Sequence, residues 1–246
     1  MSAFTALVRD ERLPLYQQLR DELAQKITNQ EWRPGDPIPS EAELTKTFGI
    51  ATGTVRKAID ALINEGLIER SRGKGTFVRR PRFDASLFRF FRFESVNGER
   101  RIPQSRILKR DAMAAPTAVA IALKLAKGER VIRISRQRLV DHQPLLVEEI
   151  WLPLAPFTAL LKIQPSEFGN LLYPMYEQRC GQIVASAKET LTVEPVSAAH
   201  ARLLQLPEGT PVIVIERIAL AFDGTHIEWR RSRGPADHFK YHVEIR

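Results

Sequence analysis

The chain has 246 residues with 43% apolar side chains, enough for one large domain or for a small domain joined to a medium one, each with its own core. Its formal charge of +8 favours an anionic partner, either nucleic acid or small acidic ligands. A single cysteine, Cys180, excludes an internal disulfide framework; with no apolar leader and no window near the roughly 18 apolar residues of a membrane span, the expectation is a soluble cytoplasmic protein.

Residues 1–13 read as a charged tail. Leu15, Leu19, Leu23 and Ile27 then recur every four residues, one apolar stripe on a helix that Pro34-Gly35 is expected to end. Ser40 followed by Glu43 has the capping-box spacing and predicts a short helix through Phe48, closed by Gly49. A third helix follows, with Val55, Ile59, Leu62 and Ile63 facing inward and Gly66 as its left-handed terminator. Two short helices split by a tight turn form a helix-turn-helix. The next stretch, LIERSRGKGTFVRR, reads as a β-hairpin with an Arg-Gly-Lys-Gly tip, the wing of a winged helix. Arg70, Arg72, Lys74, Arg79, Arg80, Arg82, Arg89 and Arg92 crowd this region against the single acid Asp84. On a hairpin after a helix-turn-helix, that run points to phosphate contact more than to a merely solvated face.

Residues 81–94 read as a linker, and within it LFRFFRFE (87–94) interleaves aromatic and basic residues as single-strand binders do, with core packing the stronger reading. Beyond it lies an internal repeat with a spacing of 81 residues. ALKLAKGERVIRISRQRL (122–139) lies over LLQLPEGTPVIVIERIAL (203–220), matching Gly128 with Gly209, Ile134 with Ile215 and Arg136 with Arg217. Each copy reads as helix, glycine cap, strand, turn, strand, and EFGNLLYPMYEQRCG between them predicts one more helix closed by Gly181. The pattern predicts an α+β domain over 95–246, an antiparallel sheet with helices packed on one side.

Strand alternation places Ile132, Ile134, Arg136 and Arg138 on one face, and Leu146, Glu148, Ile150 and Leu152 on one face of the next strand. Arginines on an apolar face are costly unless they meet anions. Two readings follow for Arg136, Glu148, Arg217 and Glu228: internal salt bridges or a ligand pocket. The RGKGT tip lacks the GxxxxGK[ST] spacing of a phosphate loop, the five histidines show no metal-ligand spacing, and Cys180 has no activating partner, so no metal, cofactor or thiol nucleophile is expected.

PLYQQL, IPSEAEL, TVRKAIDALINEGLIER and GKGTFV, over about residues 14–80, resemble the winged helix of GntR-type bacterial transcription regulators. RQRLVDHQPLLVEEIWLP and GTHIEWRRSR resemble the UTRA effector domain of the HutC-type subfamily, whose fold is similar to chorismate lyase. The resemblance implies a metabolite-responsive regulator, a repressor or an activator, that binds a palindromic operator as a homodimer. By analogy Arg56 and Lys57 lie on the recognition helix, and Arg72 and Gly73 match the wing tip, flanked by Lys74. The family's usual Val-Ser-Arg at the start of the recognition helix is Ile50-Ala51-Thr52 here, so Thr52 is expected to cap the helix, Arg56 to read guanine, and Thr52 and Thr54 to touch thymine methyls. For the effector the resemblance implies Arg136, Arg138, Glu148, Tyr173 and Glu228, with Leu171 where a serine is usual and GPADHF in place of the usual C-terminal motif. Those departures make a small carboxylate at least as well suited as a sugar phosphate, so the expected effector is a small organic anion, carboxylate or phosphate. An enzyme of chorismate-lyase-like fold with a DNA-binding appendage is the second reading.

Overall fold

The structure, a computed structural model, describes residues 12–80 and 103–239, and the chain divides between Pro81 and Arg82 into two units. The expected linker and the LFRFFRFE segment, with Arg82, Arg89 and Arg92, lie outside the described residues.

In the first unit, helices α1 (Leu15–Thr28), α2 (Glu41–Phe48) and α3 (Thr52–Asn64) precede a hairpin of strands β1 (Ile68–Ser71) and β2 (Gly75–Val78). The stripe on α1 buries Leu19, Leu23 and Ile27, and α3 answers with Val55, Ala58, Ile59 and Leu62. Ile63 is only half-buried, and Ala58 is the inward residue that the spacing did not single out. The α1 helix stops well before Pro34. Gln30 adopts a left-handed conformation with φ 60, which lets the Glu31 amide fold back onto the Lys26 carbonyl at 2.9 Å and closes the last turn. Ser40 and Glu43 form the reciprocal capping box, and Gly49 (φ 63) and Gly66 (φ 73) supply the left-handed turns after α2 and α3. The wing pairs Ile68 with Val78 through Ser71 with Gly75, leaving Arg72-Gly73-Lys74 at its tip.

The second unit contains strands β3 (Gln104–Ala114), β4 (Arg130–Val140), β5 (Gln143–Pro153), β6 (Ser186–Pro195), β7 (Pro211–Leu220) and β8 (His226–Pro235). They form one antiparallel sheet in the order β3-β4-β5-β8-β7-β6. Helix α4 (Thr117–Leu123) precedes β4, α5 (Leu154–Phe157) and α6 (Leu172–Cys180) follow β5, and α7 (Ala198–Leu204) precedes β7. The repeat is larger than the sequence alignment suggested. Each copy is strand, helix, strand, turn, strand, and the sheet is two three-stranded halves joined where β5 pairs β8. Even the ladder irregularity recurs, between Arg138 and Leu139 and between Ala219 and Leu220.

Two expectations need correction. The glycines do not cap the repeat helices: α4 ends on Lys124 (φ 54) and α7 on Gln205 (φ 57), whereas Gly128 and Gly209 shape the turns into β4 and β7. Nor do the helices keep to one side of the sheet. Val119 and Leu123 of α4 pack with Val131 and Trp151, and Ala201 and Leu204 of α7 with Val147 and Val212. On the opposite face, Phe157 of α5 and Leu172, Met175 and Tyr176 of α6 pack with Ile132, Ile134, Ile150 and Leu152. Both faces of these strands carry apolar residues, so both are covered, and the class remains α+β.

Candidate functional site

Two groups of residues carry the candidate chemistry, one in each unit. On α3 the side chains of Thr52, Arg56 and Lys57 are exposed and Thr54 is half-buried, while Arg72, Gly73 and Lys74 stand exposed at the wing tip. Thr52 does not cap α3. Ala51 occupies the cap position, its carbonyl accepting the Thr54 and Val55 amides at 2.9 and 3.1 Å, and no side chain caps the helix start. An alanine methyl cannot accept a hydrogen bond, so the amides at the start of α3 have no side-chain cap, an arrangement open to a phosphate oxygen. Gly73 (φ 74) has nothing within 4 Å of where a Cβ would stand, which leaves the tip narrow. Of the basic run, Arg80 donates to the Pro34 carbonyl at 2.9 Å and Arg70 reaches Asp60 at 2.9 Å; these two serve the domain's own structure.

In the second unit the face that carries Glu148 brings the predicted charged residues together. Arg136 and Glu148 are direct ladder partners, and the guanidinium grips one carboxylate oxygen, Nε at 2.6 Å and Nη2 at 2.5 Å. Ser232 donates to the other oxygen at 3.0 Å, and Arg230 lies 3.7 Å from it. Glu228, fully buried, accepts from Tyr173 at 3.0 Å, Tyr176 at 2.7 Å and Arg230 at 2.7 Å. Arg217 pairs with Glu189, not with Glu228, and donates to the Tyr173 hydroxyl at 3.3 Å. Arg138, also fully buried, gives Nη1 to the Asn170 carbonyl. Leu171 stands at the cap of α6 with no side-chain bond.

Both carboxylates are therefore satisfied from within, and the internal salt-bridge reading holds for Arg136 with Glu148. The arginines are not satisfied. Arg136 Nη1, Arg138 Nε and Nη2, and Arg230 Nε are buried without a hydrogen-bond partner among the described residues. Among the described residues, four guanidinium groups, on Arg136, Arg138, Arg217 and Arg230, meet three carboxylates, on Glu148, Glu189 and Glu228. Burial and the neighbouring Arg136 push Arg138 down to about 10. Burial alone would raise the Glu148 carboxyl, but Arg136, Arg230 and Arg138 override it and hold the group at about 2. Burial and Glu228 push the Tyr173 phenol up to about 12, so it stays a donor.

Sequence reasoning missed Arg230, Tyr176 and Ser232. The signals were present: Arg230 and Ser232 share the strand parity of Glu228, and Tyr176 lies one helical turn from Tyr173. Among the described residues no group of His, Cys, Asp and Glu could hold a metal ion, and no helix is long and apolar enough to cross a membrane. Cys180 is half-buried, its thiol pushed up by burial.

The model of the bacterial regulatory proteins of the gntR family matches residues 15–78, and that of the UTRA domain matches residues 98–240. The chain belongs to the gntR family and carries a UTRA domain. It is a DNA-binding transcription regulator and not an enzyme, which closes the lyase reading. It is 29% identical to the transcriptional repressor NagR of Bacillus subtilis, over 93% of each chain. It is 28% identical to a histidine utilization repressor of Pseudomonas putida, over 88% of this chain and 86% of that one. Among solved structures it resembles the ligand-binding domain of a GntR-family regulator from Bordetella bronchiseptica, with 30% identity, TM-score 0.54, and coverage of 60% of this chain and 93% of that one. It shares its fold with PhnF of Mycobacterium smegmatis, with 23% identity, TM-score 0.54, and coverage of 95% and 99%.

Proposed function

We propose that this gntR-family regulator is a repressor that binds a palindromic operator as a homodimer and responds to a small organic anion held by Arg136, Arg138 and Arg230. The observation that carries the reading is the set of buried guanidinium donors on the Glu148 face that have no hydrogen-bond partner among the described residues. Burying an unbalanced positive charge is costly, and an incoming carboxylate or phosphate that accepts from those donors offsets the cost. Glu148 fixes Arg136, and Glu228 with Tyr173 and Tyr176 fixes Arg230, so the donors are held in place before the ligand arrives. Another relative, MngR of Escherichia coli, is named for a mannosyl-D-glycerate system; glycerate and histidine both carry a carboxylate, which supports an acid as effector here.

On the DNA side, Arg56 is the base-reading side chain, Thr52 and Thr54 face thymine methyls, and Lys57, Arg72, Gly73 and Lys74 track the backbone. Ligand binding favours one arrangement of the dimer and so changes operator affinity. A melting-temperature screen of the full-length protein against small carboxylates and phosphates tests the reading. Anionic metabolites should raise the melting temperature where their amides and esters do not; a neutral compound as the best stabiliser would overturn it.

A further inference from the structure

A charge cluster in the first unit goes beyond the contacts assigned above. Glu41, the first residue of α2, accepts from Arg56 Nε through Oε2 at 3.2 Å and from Arg70 Nη2 through Oε1 at 3.2 Å. Arg70 also reaches Asp60 at 2.9 Å. One carboxylate thus ties together α2, α3 and β1. Asp60 lies one turn beyond Arg56 on α3, and the four charges balance.

Position 41 has a simpler explanation, because a carboxylate in a first helical turn suits the helix dipole and exposed ion pairs contribute little to stability. Neither explains why both oxygens turn towards arginines on other elements. A guanidinium has five donors in a fixed plane, and Glu41 engages the one at Nε. That leaves the two outer nitrogens of Arg56, the pair that can meet O6 and N7 of guanine in one plane. Turning the Nε edge of Arg56 onto a phosphate instead would break its bond to Glu41 and leave Oε2 of that carboxylate without Arg56 beside the DNA backbone, with Arg70 still on Oε1.

We propose that Glu41 is a positioning residue for base readout. It buttresses Arg56 for guanine, holds the wing strand through Arg70, and gives up non-specific phosphate affinity for sequence discrimination. The proposal rests on the reading of Arg56 as the base-reading residue.

Duplexes selected from a random-sequence pool by the full-length protein supply the specific probe, and a scrambled duplex of equal length supplies the reference. Glu41→Gln should lower the ratio of selected to scrambled affinity by about tenfold, losing preference at one base pair of each half-site. Binding to the scrambled duplex should tighten, with a salt slope steeper by roughly one to two units as the freed arginines move to phosphates. In an Arg56→Ala background, Glu41→Gln should change no base preference. An unchanged ratio and motif for Glu41→Gln overturns the proposal, as does an equal loss of affinity for both duplexes with a lowered melting temperature. If Arg56→Ala alone leaves the selected motif unaltered, both the proposal and the reading of Arg56 fall, and the fault lies with the latter.

Discussion

The two copies of the repeat share a backbone and differ in charge. In the first, Arg136 pairs across the ladder with Glu148; in the second, the matching positions are Arg217 and Arg230, two like charges side by side. Leu146, which faces Arg138 in the first copy, is answered by Glu228 in the second. The second copy must therefore recruit its counter-charges from elsewhere, Glu189 from the edge strand β6 for Arg217 and Glu228 from the same strand for Arg230. Symmetry builds the scaffold, and the departure from it produces the excess of buried cations among the described residues. The segment between the copies deepens the asymmetry, since α6 brings Tyr173 and Tyr176 to Glu228 and nothing equivalent to Glu148.

The largest effect expected from breaking this arrangement is at Arg230. Arg230→Met leaves Glu228 buried without its cation and should cost about 3–5 kcal/mol in urea unfolding, most of it recovered in the double variant with Glu228→Gln. Next comes the acid limb of the first copy. Glu148 is depressed from 4.5 to about 2, so its stabilisation is present above the unfolded value and is lost as pH falls from about 5 towards 2, on the order of 3 kcal/mol in all; Glu148→Gln should flatten that limb of a pH series of unfolding experiments. Copying the first half onto the second, with Glu228→Leu and Arg230→Glu together, gives Arg217 a ladder carboxylate. That variant should stay within about 2 kcal/mol of the parent and show no anion-induced rise in melting temperature. The smallest effect tests the scaffold. Lys124→Gly and Gln205→Gly relieve matching left-handed residues and should each stabilise by about 0.5 kcal/mol, equally in the two copies.

Much of this was legible in the sequence because local chemistry decided it. The capping box at Ser40 and Glu43, the left-handed Gly49 and Gly66, and the Arg72-Gly73-Lys74 tip each need only a few neighbouring residues to be specified. The repeat was visible because two copies of one scaffold keep the same core positions. What was hidden depended on which parts of the chain meet. The repeat helices bury two residues each, Val119 and Leu123 or Ala201 and Leu204, too short a stripe to say which face of a two-sided sheet it covers. Arg230 went unread because a strand rich in arginine, HIEWRRSRGP, does not by itself say which of its cations is held inside. The cap of α3 was misplaced because an alanine at that position carries no signal, and Thr52 beside it does.

The proposed effector response depends on the guanidinium donors of the second unit that have no partner among the described residues. Arg138→Ala is the test, because Arg138 is destabilised in its charged form by burial and then by Arg136, and its one hydrogen bond among the described residues is to the Asn170 carbonyl. With an anion that raises the parent's melting temperature, operator binding of the variant should be measured with and without that anion. The variant should stay folded, bind operator within about twofold of the parent and no longer change its affinity when the anion is added, since no buried carboxylate loses its cation. A variant that is strongly destabilised and still answers the anion would contradict it.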